Sequence, residues 1–585
     1  MNRAGSVAAI ILAAGASSRM GTLKPLMKLA ASTILQEAAS RFRAAGVPDV
    51  LVVVGFQADV LIPIVANIRA RWIHNESFRD GMLSSVLKGI AALDENVEAF
   101  FLLPVDTPLV KPQTIARLLQ EYQQSKAPVI YPLFRGTRGH PPLIATHCVA
   151  GLLPDQEGGL QAYLRKFDTE ARELPTVDEG IVLSCNIPEE YHVVAAHAER
   201  NGLPTINECK ALWEQHNVLD KTITHCRIVA EFGRLMAIHL NCAGHRLNAE
   251  AVSAAGMVHD IAKGQRNHAG IGAEILRDAG FDRIADIVAT HMDIVLRSED
   301  IDESQVLYLA DKCVCGADFI SLEKRLEQSL RRFADQPEAL SSATKRLQTA
   351  RVIQERVERC LGMSLTALIE RHKRGIRIAE GKRIIYLVRH GCLDVADGRK
   401  RYIGQIDIPL NDKGIRQAAA LRERLRNVSF TAVYCSDLSR ARDTAAIVAQ
   451  PHGLQPIERV DLREIALGAW EGITFDEIRR HSPQEYGERG RDIVLFRPPG
   501  GESFSDCNAR VIAALFNILS TSEGDLLLVA HAGVNRLLLG LALGTRMDDL
   551  LAIPQEYGCL NIIRYEDFSF QLELLNESVL KKTTD

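Results

Sequence analysis

The sequence predicts a multidomain chain in which an α/β domain, an all-α domain and a second α/β domain follow one another. In roughly the first 200 residues, short apolar runs such as "VLVVVG" and "AFFLLPV" alternate with helical stretches, which is typical of a parallel sheet flanked by helices. From about 205 to 370 apolar residues recur only at helical spacing, and the alternation returns at "IIYLVRHG". The length of 585 residues also indicates several domains, because a single hydrophobic core stops growing near about 250 to 300 residues.

The composition excludes several classes of protein. The chain is 47% hydrophobic and 24% charged, and its 69 Lys and Arg against 73 Asp and Glu create no basic field that would predict nucleic acid as a partner. The 12 cysteines include one C-x-C and no C-x-x-C, which favours a reducing cytoplasm over a disulfide framework. No apolar stretch reaches the roughly 18 residues that a membrane span requires. We therefore expect a cytoplasmic protein with small-molecule partners and no membrane.

The first domain, expected at residues 1–202, begins with an apolar run and a loop rich in small residues. The basic start and the A-x-A of this segment are shared with secretory signals, but the same residues fit a phosphate-binding loop better. Gly15 and Gly21 permit backbone conformations closed to other residues, while Arg19 and Lys24 add positive charge for phosphate oxygens. Asp106 follows a later apolar run, at the edge where open α/β sheets bind ligands, and a carboxylate there suits Mg²⁺.

This loop resembles the signature of the MobA-like nucleotidyltransferases of molybdenum cofactor maturation, L-A-[AG]-G-x-S-x-R-M-G-x-x-K. The resemblance continues through "RGTRGHPPLI", "DQEGGLQAYL" and "CNIPEEY" and is closer to the molybdopterin cytidylyltransferases, although these often carry Asp in place of Asn186. It implies a Rossmann-like domain that uses an NTP, CTP favoured, with Mg²⁺ on Asp106, with molybdopterin as acceptor and with molybdoenzymes among its partners. The nucleotide-binding residues that it implies are Leu12, Ala13, Ala14, Gly15, Arg19 and Lys24.

The middle domain, expected at residues 203–375, places His259 beside Asp260 in an apolar run. Further histidines and an aspartate lie on several predicted helices, as a metal site in a helix bundle requires. Their order, H…HD…H…H…D, resembles the HD-domain metal phosphohydrolases that hold two metals. Such ligands suit Fe, Mn, Co or Zn, and a metal pair assists phosphate ester hydrolysis. The resemblance implies one ion on His225, His259, Asp260 and Asp311, and a second ion on Asp260, His268 and His291.

A basic stretch at 371–383 is interpreted as a linker to the last domain, which is expected at residues 376–585. In that domain several polar side chains follow apolar runs, so they can meet at the carboxyl edge of one sheet. An imidazole to attack phosphorus, guanidiniums to clamp phosphoryl oxygens and a carboxylic acid to protonate the leaving oxygen form a consistent phosphatase set. The residues are Arg389, His390, Arg440, Glu464 and His531.

This set resembles the histidine phosphatase superfamily, which includes α-ribazole phosphatase and the phosphoglycerate mutases. "RPPGGES", residues 497–503, matches the ribazole phosphatase type, whereas Cys392 stands where many relatives carry Glu or Gln. The resemblance implies a domain without a cofactor. In it His390 is the nucleophile, Glu464 is the proton donor, and the phosphate pocket consists of Arg389, Arg440 and His531.

Together the domains predict a multifunctional enzyme, both a nucleotidyltransferase and a phosphoric ester hydrolase, whose leading activity is transfer from CTP to molybdopterin. Two alternatives stay open. Assembly of the cobalamin nucleotide loop would pair a guanylyltransferase with an α-ribazole phosphatase and would require GTP. Alternatively, the HD domain senses a nucleotide and regulates its neighbours, which predicts tight binding by residues 205–370 with negligible turnover.

Overall fold

A computed structural model of the chain describes residues 6–16, 20, 22–29, 31–200, 202–370, 382–394, 399–543, 545, 547–566 and 569–580. The chain divides into two compact units, one of residues up to 217 together with 273–285, the other of 218–272 and 286–585. Across the described ranges, no helix is long and apolar enough to cross a membrane. Arg19, the boundary expected between 375 and 376, and most of the linker expected at 371–383 lie outside the described residues.

The first unit is built on an eight-stranded sheet with helices between its strands. The apolar runs "VAAIILA", "VLVVVG", "AFFLLPV" and "PVIYP" all form strands, because each buries β-branched or aromatic side chains. The strands of this sheet are β1 (Ser6–Ala13), β4 (Val50–Val54), β5 (Arg71–His74), β6 (Val97–Pro104), β7 (Val129–Phe134), β8 (Thr137–Arg138), β9 (Leu143–Ala145) and β10 (Arg172–Thr176). Two further strands, β2 (Lys28–Leu29) and β3 (Ser32–Thr33), form a separate antiparallel pair. The helices are α1 (Ile34–Ala44), α2 (Ala58–Asn67), α3 (Met82–Ala91), α4 (Pro112–Ser125), α5 (Gly159–Leu164), α6 (Pro188–Glu199) and α7 (Ile206–Gln215).

The order of this sheet is β10-β7-β9-β6-β1-β4-β5, with β8 paired to β7. β1 lies between β4 and β6 and runs parallel to both, so the carboxyl ends of the three strands meet at one edge. The prediction of a parallel sheet was wrong in part, because β9 runs antiparallel to both β6 and β7, and β8 runs antiparallel to β7. Apolar periodicity could not show this, since a short buried strand has the same pattern in either direction.

The second unit begins with a helical region that follows the predicted stretches. Gly256 allows two of its helices to approach closely, because a Cβ there would lie 2.5 Å from the Cα of Ala230. The pattern predicts only helices here, but β11 (Val314–Cys315) and β12 (Asp318–Phe319) form a short antiparallel hairpin. The helices of this part of the chain are α8 (Asp220–Cys242), α9 (Ala249–Val258), α10 (His268–Asp278), α11 (Asp282–Ala289), α12 (Glu303–Lys312), α13 (Leu322–Arg332) and α14 (Pro337–Leu361). Residues 273–285, within α10 and α11, belong to the first unit.

The rest of the second unit contains a six-stranded sheet in the order β15-β14-β16-β13-β17-β18. β16 runs parallel to its neighbours β13 and β14, which brings their carboxyl ends to one edge. The strands are β13 (Arg383–Arg389), β14 (Phe430–Ser436), β15 (Ile457–Arg459), β16 (Asp525–Ala530), β17 (Cys559–Glu566) and β18 (Ser569–Ser578). The helices are α15 (Asp412–Leu425), α16 (Ser439–Ala449), α17 (Phe475–His481), α18 (Pro483–Arg491), α19 (Phe504–Thr521) and α20 (Ala532–Leu543).

A buried arginine joins the helical region to this sheet within the second unit. Arg234 of α8 forms ion pairs with Glu231 and Glu250, and its guanidinium carbon lies 5.3 Å from the ring centroid of Phe570 in β18. Only 1% of Arg234 is exposed. Separating the two regions would expose this charge cluster and the rings around it, so experiments on either region are best made on the full chain.

Candidate functional sites

The predicted metal ligands of the helical region lie on five successive segments of the bundle. His225 lies on α8 and Asp311 on α12, while His268 begins α10 and His291 follows the end of α11. α9 ends at Val258, so the neighbouring His259 and Asp260 lie in the turn that follows. His259 is the C-cap of α9 and keeps a helical backbone conformation. Adjacent side chains on such a backbone diverge by about 100°, so His259 and Asp260 approach the cluster from different directions.

Asp260 lies at the centre of this cluster. Its Oδ2 is 3.5 Å from Nε2 of His259 and 3.9 Å from Nε2 of His225. Its Oδ1 is 3.4 Å from Nε2 of His268 and 3.8 Å from Nε2 of His291. The structure thus forms two groups with metal-ligand spacing that share Asp260, which is the arrangement that a bridging carboxylate requires.

The donor atoms of the cluster fit a divalent transition metal. Nδ1 of His259 lies 2.8 Å from the Gly256 carbonyl oxygen, and Nδ1 of His291 lies 2.7 Å from that of Val288. A carbonyl oxygen only accepts, so each Nδ1 donates to it and each Nε2 is the ring nitrogen that faces the cluster. Nε2 of His259 is buried and, within the described part of the chain, has no hydrogen-bond partner. Imidazole nitrogens with carboxylates suit Fe, Mn, Co or Zn.

A buried lysine that sequence reasoning missed completes the cluster. Lys312 Nζ donates to Asp311 Oδ2 at 2.6 Å and to the carbonyl oxygen of His291 at 2.9 Å. Burial alone would raise the pKa of Asp311, but Lys312 and the nearby imidazoles outweigh burial and hold that pKa well below its usual range. Asp311 Oδ1 lies 3.1 Å from Nε2 of His225. The available signal was a lysine on an apolar helix directly after a predicted ligand.

The five predicted phosphatase residues meet at the carboxyl edge of the second sheet. His390 follows β13 and His531 follows β16, and the imidazole centroids lie 5.1 Å apart because these strands are parallel neighbours. Arg440, near the start of α16, points Nε at Nδ1 of His531 at 3.3 Å. Its two terminal nitrogens each donate at 2.7 Å, one to the carbonyl of Ile406 and the other to that of Gly404. Arg440 is thereby held in one orientation.

The two imidazoles of this pocket are neutral. Burial is the main cause that holds the pKa of His390 well below its usual range, and the charges of Arg389 and Arg440 act in the same direction. Burial likewise lowers the pKa of His531, with smaller effects of His390 and Arg440. Nδ1 of His390 lies 2.8 Å from the carbonyl oxygen of Gly391, so Nε2 keeps the lone pair that a nucleophile needs.

Buried donors without partners among the described residues lie around His390. Nε of Arg389 and Nε2 of His531 are buried and have no hydrogen-bond partner among the described residues. Because such atoms are costly to leave unpaired, they favour a bound anion such as a phosphoryl group. Both carboxylate oxygens of Glu464 accept from the backbone N–H of Gly533 at 3.1 Å, which places Glu464 beside the donors. The five residues can therefore bind a phosphate ester and attack it.

Tyr557 also contributes to the pocket, and sequence reasoning missed it. The guanidinium carbon of Arg389 lies 3.7 Å from its ring centroid, and NH1 of Arg389 donates to the Gln555 carbonyl oxygen at 2.6 Å. The ring of His390 lies 5.5 Å from that of Tyr557. Tyr557 follows Gln555 in a loop without periodicity, so no local pattern marks it.

In the first unit, the structure brings part of the predicted nucleotide site together. Leu12 and Ala13 end β1, Ala14 and Gly15 follow, and Asp106 follows the neighbouring strand β6. Lys24 Nζ lies 3.8 Å from Asp106 Oδ2 and donates to Asn186 Oδ1 at 3.0 Å. A cation beside a carboxylate at this edge suits a phosphate group bound with Mg²⁺.

A cavity of about 510 Å³ lies at the same edge. Leu12 lines it together with Arg138 and His140 of "RGTRGHPPLI" and Gly158 and Gln161 of "DQEGGLQAYL". Burial chiefly lowers the pKa of His140, and its Nδ1 is buried without a hydrogen-bond partner in the described ranges. A cavity of this size with a few polar groups suits a small molecule.

Three protein families match successive parts of the chain that carries these sites. Residues 9–172 match the MobA-like NTP transferase domain, residues 222–314 match the HD domain, and residues 385–578 match the histidine phosphatase superfamily, branch 1. The three matches confirm the predicted fusion of an α/β nucleotidyltransferase, an all-α HD region and an α/β histidine phosphatase.

The C-terminal region is similar to known proteins. The probable phosphoglycerate mutase GpmB of Yersinia pestis (strain Pestoides F) is 35% identical over 171 residues, which is 29% of this chain and 75% of that protein. The bifunctional protein Rv2228c of Mycobacterium tuberculosis is 34% identical over 197 residues, which is 33% of this chain, and the match spans about half of that protein, 54%. The chain therefore belongs to the histidine phosphatase superfamily, with NTP transferase and HD domains preceding that domain.

Two solved structures cover the same share of the chain. Bacillus stearothermophilus YhfR is 33% identical and has a TM-score of 0.32, with 34% of this chain and 100% of that chain covered. A putative alpha-ribazole-5'-P phosphatase from Escherichia coli K-12 is 28% identical and also has a TM-score of 0.32, with 34% of this chain and 98% of that chain covered.

Proposed function

We propose that the chain combines three activities: nucleotidyl transfer from CTP to molybdopterin, metal-dependent hydrolysis of a phosphate ester, and phosphatase action through a phosphohistidine. The domain limits that we propose are 1–202, 203–375 and 376–585. The phosphatase pocket carries most of the support, because a neutral buried His390 faces two buried donors, on Arg389 and His531, that lack partners in the described part of the chain.

In the phosphatase step, Nε2 of His390 attacks the phosphorus of a monoester while the bond to the leaving oxygen breaks. Arg389, Arg440 and His531 bind the phosphoryl oxygens, and Glu464 gives its proton to the leaving oxygen. Glu464, now a carboxylate, then accepts a proton from water as that water attacks phosphorus. This releases phosphate and restores His390.

In the HD domain, His225, His259, Asp260 and Asp311 would hold one divalent metal, and Asp260, His268 and His291 a second. Bound metals would supply a nucleophile and neutralise phosphate charge. Lys312 keeps Asp311 ionised, and the backbone carbonyls behind His259 and His291 keep Nε2 of both rings available. A domain that binds nucleotide tightly without turnover would instead support the regulatory alternative.

In the transferase domain, the support is the meeting of Lys24 and Asp106 beside the cavity. Bound Mg²⁺ would neutralise the triphosphate. Lys24 would bind phosphate oxygens, and Ala14 and Gly15 would let the backbone approach the nucleotide. An acceptor in the cavity would place its phosphate oxygen against the α-phosphorus, so that a bond forms there as pyrophosphate leaves.

The transferase proposal is tested by pyrophosphate release from CTP, GTP, ATP and UTP with Mg²⁺ and molybdopterin. We expect release from CTP, and we expect Asp106→Ala to abolish it while sparing hydrolysis of p-nitrophenyl phosphate. Unchanged release would remove Asp106 from the site. A preference for GTP would instead favour the cobalamin alternative.

A further inference from the structure

Two helices beyond the HD match contact the segments that carry its proposed metal ligands. The match ends at residue 314, whereas α13 begins at Leu322 and α14 ends at Leu361. α14 packs against both α8 and α12, which carry His225 and Asp311. These contacts place α14 against two helices that carry proposed ligands, and α13 packs against α14.

Arg325 of α13 contacts the backbone of a proposed ligand. Its NH1 lies within hydrogen-bond distance of three carbonyl oxygens, those of Asp311 at 3.0 Å, Lys312 at 3.1 Å and Val314 at 2.6 Å. The first two belong to the last residues of α12, where carbonyls have no partner within the helix. A guanidinium at this end also interacts favourably with the helix dipole. Arg325 therefore holds the helix end on which Asp311 lies.

α14 holds the other side of the centre. Arg346 donates through Nε and NH2 to the two carboxylate oxygens of Asp293 at 2.9 and 2.8 Å, two residues beyond the ligand His291. The hydroxyl of Tyr308, on α12, donates to the carbonyl oxygen of Arg346 at 3.0 Å. The Arg346–Asp293 pair is largely exposed and contributes little by itself, so Arg325, with three backbone contacts, is the residue to test.

We propose that Arg325 is a positioning residue for the metal centre, which it serves by fixing the backbone of Asp311. This inference rests on the metal centre proposed above. Without the guanidinium, the end of α12 loses its contacts to α13, and Asp311 can move relative to His225 and His259. Loss of an outer-shell contact typically weakens metal binding about 10- to 100-fold. We expect about tenfold here, because Lys312 still contacts Asp311 directly.

The test titrates metal-free full-length protein with Co²⁺, followed by its visible absorption and by equilibrium dialysis. Arg325→Gln should weaken binding about tenfold and change the spectrum of the bound ion, and Arg325→Lys should recover part of the affinity. Arg331→Gln, an exposed position of the same helix, is the matched control and should behave as wild type. The Asp260→Ala variant measures how much Co²⁺ binds outside the proposed metal centre.

Wild-type affinity and spectrum in Arg325→Gln would overturn the inference while leaving the metal centre intact. Wild-type protein that binds no more Co²⁺ than Asp260→Ala would overturn the metal centre itself, and the inference with it. If Arg325→Gln lowers the melting temperature, the Arg325→Lys variant distinguishes a positioning role from a general loss of stability. Partial recovery of affinity supports positioning, and affinity as weak as in Arg325→Gln at wild-type melting temperature overturns it.

Discussion

The HD cluster and the phosphatase pocket are both built on buried histidines, but different charged groups lie beside the imidazoles. In the HD cluster, the carboxylates of Asp260 and Asp311 lie among four imidazoles and suit a bound cation. In the phosphatase pocket, Arg389 and Arg440 flank the imidazoles and leave donors for an anion. The roles that we propose differ accordingly, with imidazoles as metal ligands beside carboxylates and as a nucleophile beside guanidiniums.

The imidazole itself is prepared in the same way in both places. His259 donates through Nδ1 to the carbonyl oxygen of Gly256, and His390 donates through Nδ1 to that of Gly391, at 2.8 Å in each case. Both rings therefore direct Nε2 toward the site. The Nδ1 hydrogen bond is common to the two sites, and the difference lies in the neighbouring charged group, a carboxylate or a guanidinium.

The largest expected effect comes from removing the phosphatase nucleophile. His390→Asn should lower hydrolysis of p-nitrophenyl phosphate at least about 1000-fold, because no phosphohistidine can form. An acid-labile, base-stable phosphoenzyme, trapped with labelled substrate, should disappear, while bound transition metal stays unchanged. His481→Asn, at an exposed position, serves as the control. A labelled phosphoenzyme in His390→Asn would place the nucleophile elsewhere.

The next largest effect concerns the proposed metal centre of the HD domain. Asp260→Ala should lower bound transition metal, measured by elemental analysis of the full chain, toward zero, because it removes a ligand shared by both ions. Metal-dependent phosphohydrolysis should stop, and p-nitrophenyl phosphate turnover by the C-terminal domain should persist even with a chelator.

His268→Ala should mainly remove the second ion, and Asp300→Ala, an exposed carboxylate nearby, should remove neither. Wild-type protein without metal, prepared without chelators and unresponsive to added Mn²⁺ or Fe²⁺, would contradict the metal site. Equal loss of metal in Asp260→Ala and His268→Ala would contradict the shared role of Asp260.

The smallest effect is a pH dependence of stability. The pKa values of His390 and His531 are lowered in the folded protein, so below about pH 6.5 the unfolded chain binds protons that the folded protein does not. Stability is therefore lost as pH falls through the unfolded pKa, by up to about 2.7 kcal/mol per pH unit for the two groups.

Guanidinium denaturation at pH 7.5 and 5.5 measures this loss in wild type and in a His390→Asn, His531→Asn double variant. The variant should lose less stability on acidification, because asparagine binds no proton in either state. An equal loss in both proteins would show that the two imidazoles do not remain neutral in the folded pocket, which would break the comparison of the two sites.

The sequence by itself determined the three families that the chain matches and their order along the chain. Apolar runs located strands β1, β4, β6 and β7, and "IIYLVRHG" located the strand that ends at Arg389. These features are local, because strand and helix periodicity depends on neighbouring residues alone. The order of the motif residues then identified His259 and Asp260 as candidate metal ligands, because residue types can be read from the sequence without a fold.

Only the tertiary structure decided which side chains meet, because the contacts that build the sites join distant parts of the chain. His225 contacts Asp311 across 86 positions, and Arg440 contacts His531 across 91. Periodicity does not give the direction of β9 or the residue at which α9 ends. It also does not show that Asp260 lies between two groups of candidate ligands. Tyr557 and Arg325 contribute through contacts to residues far from them or through backbone carbonyls, and neither kind of contact leaves a pattern in the local sequence.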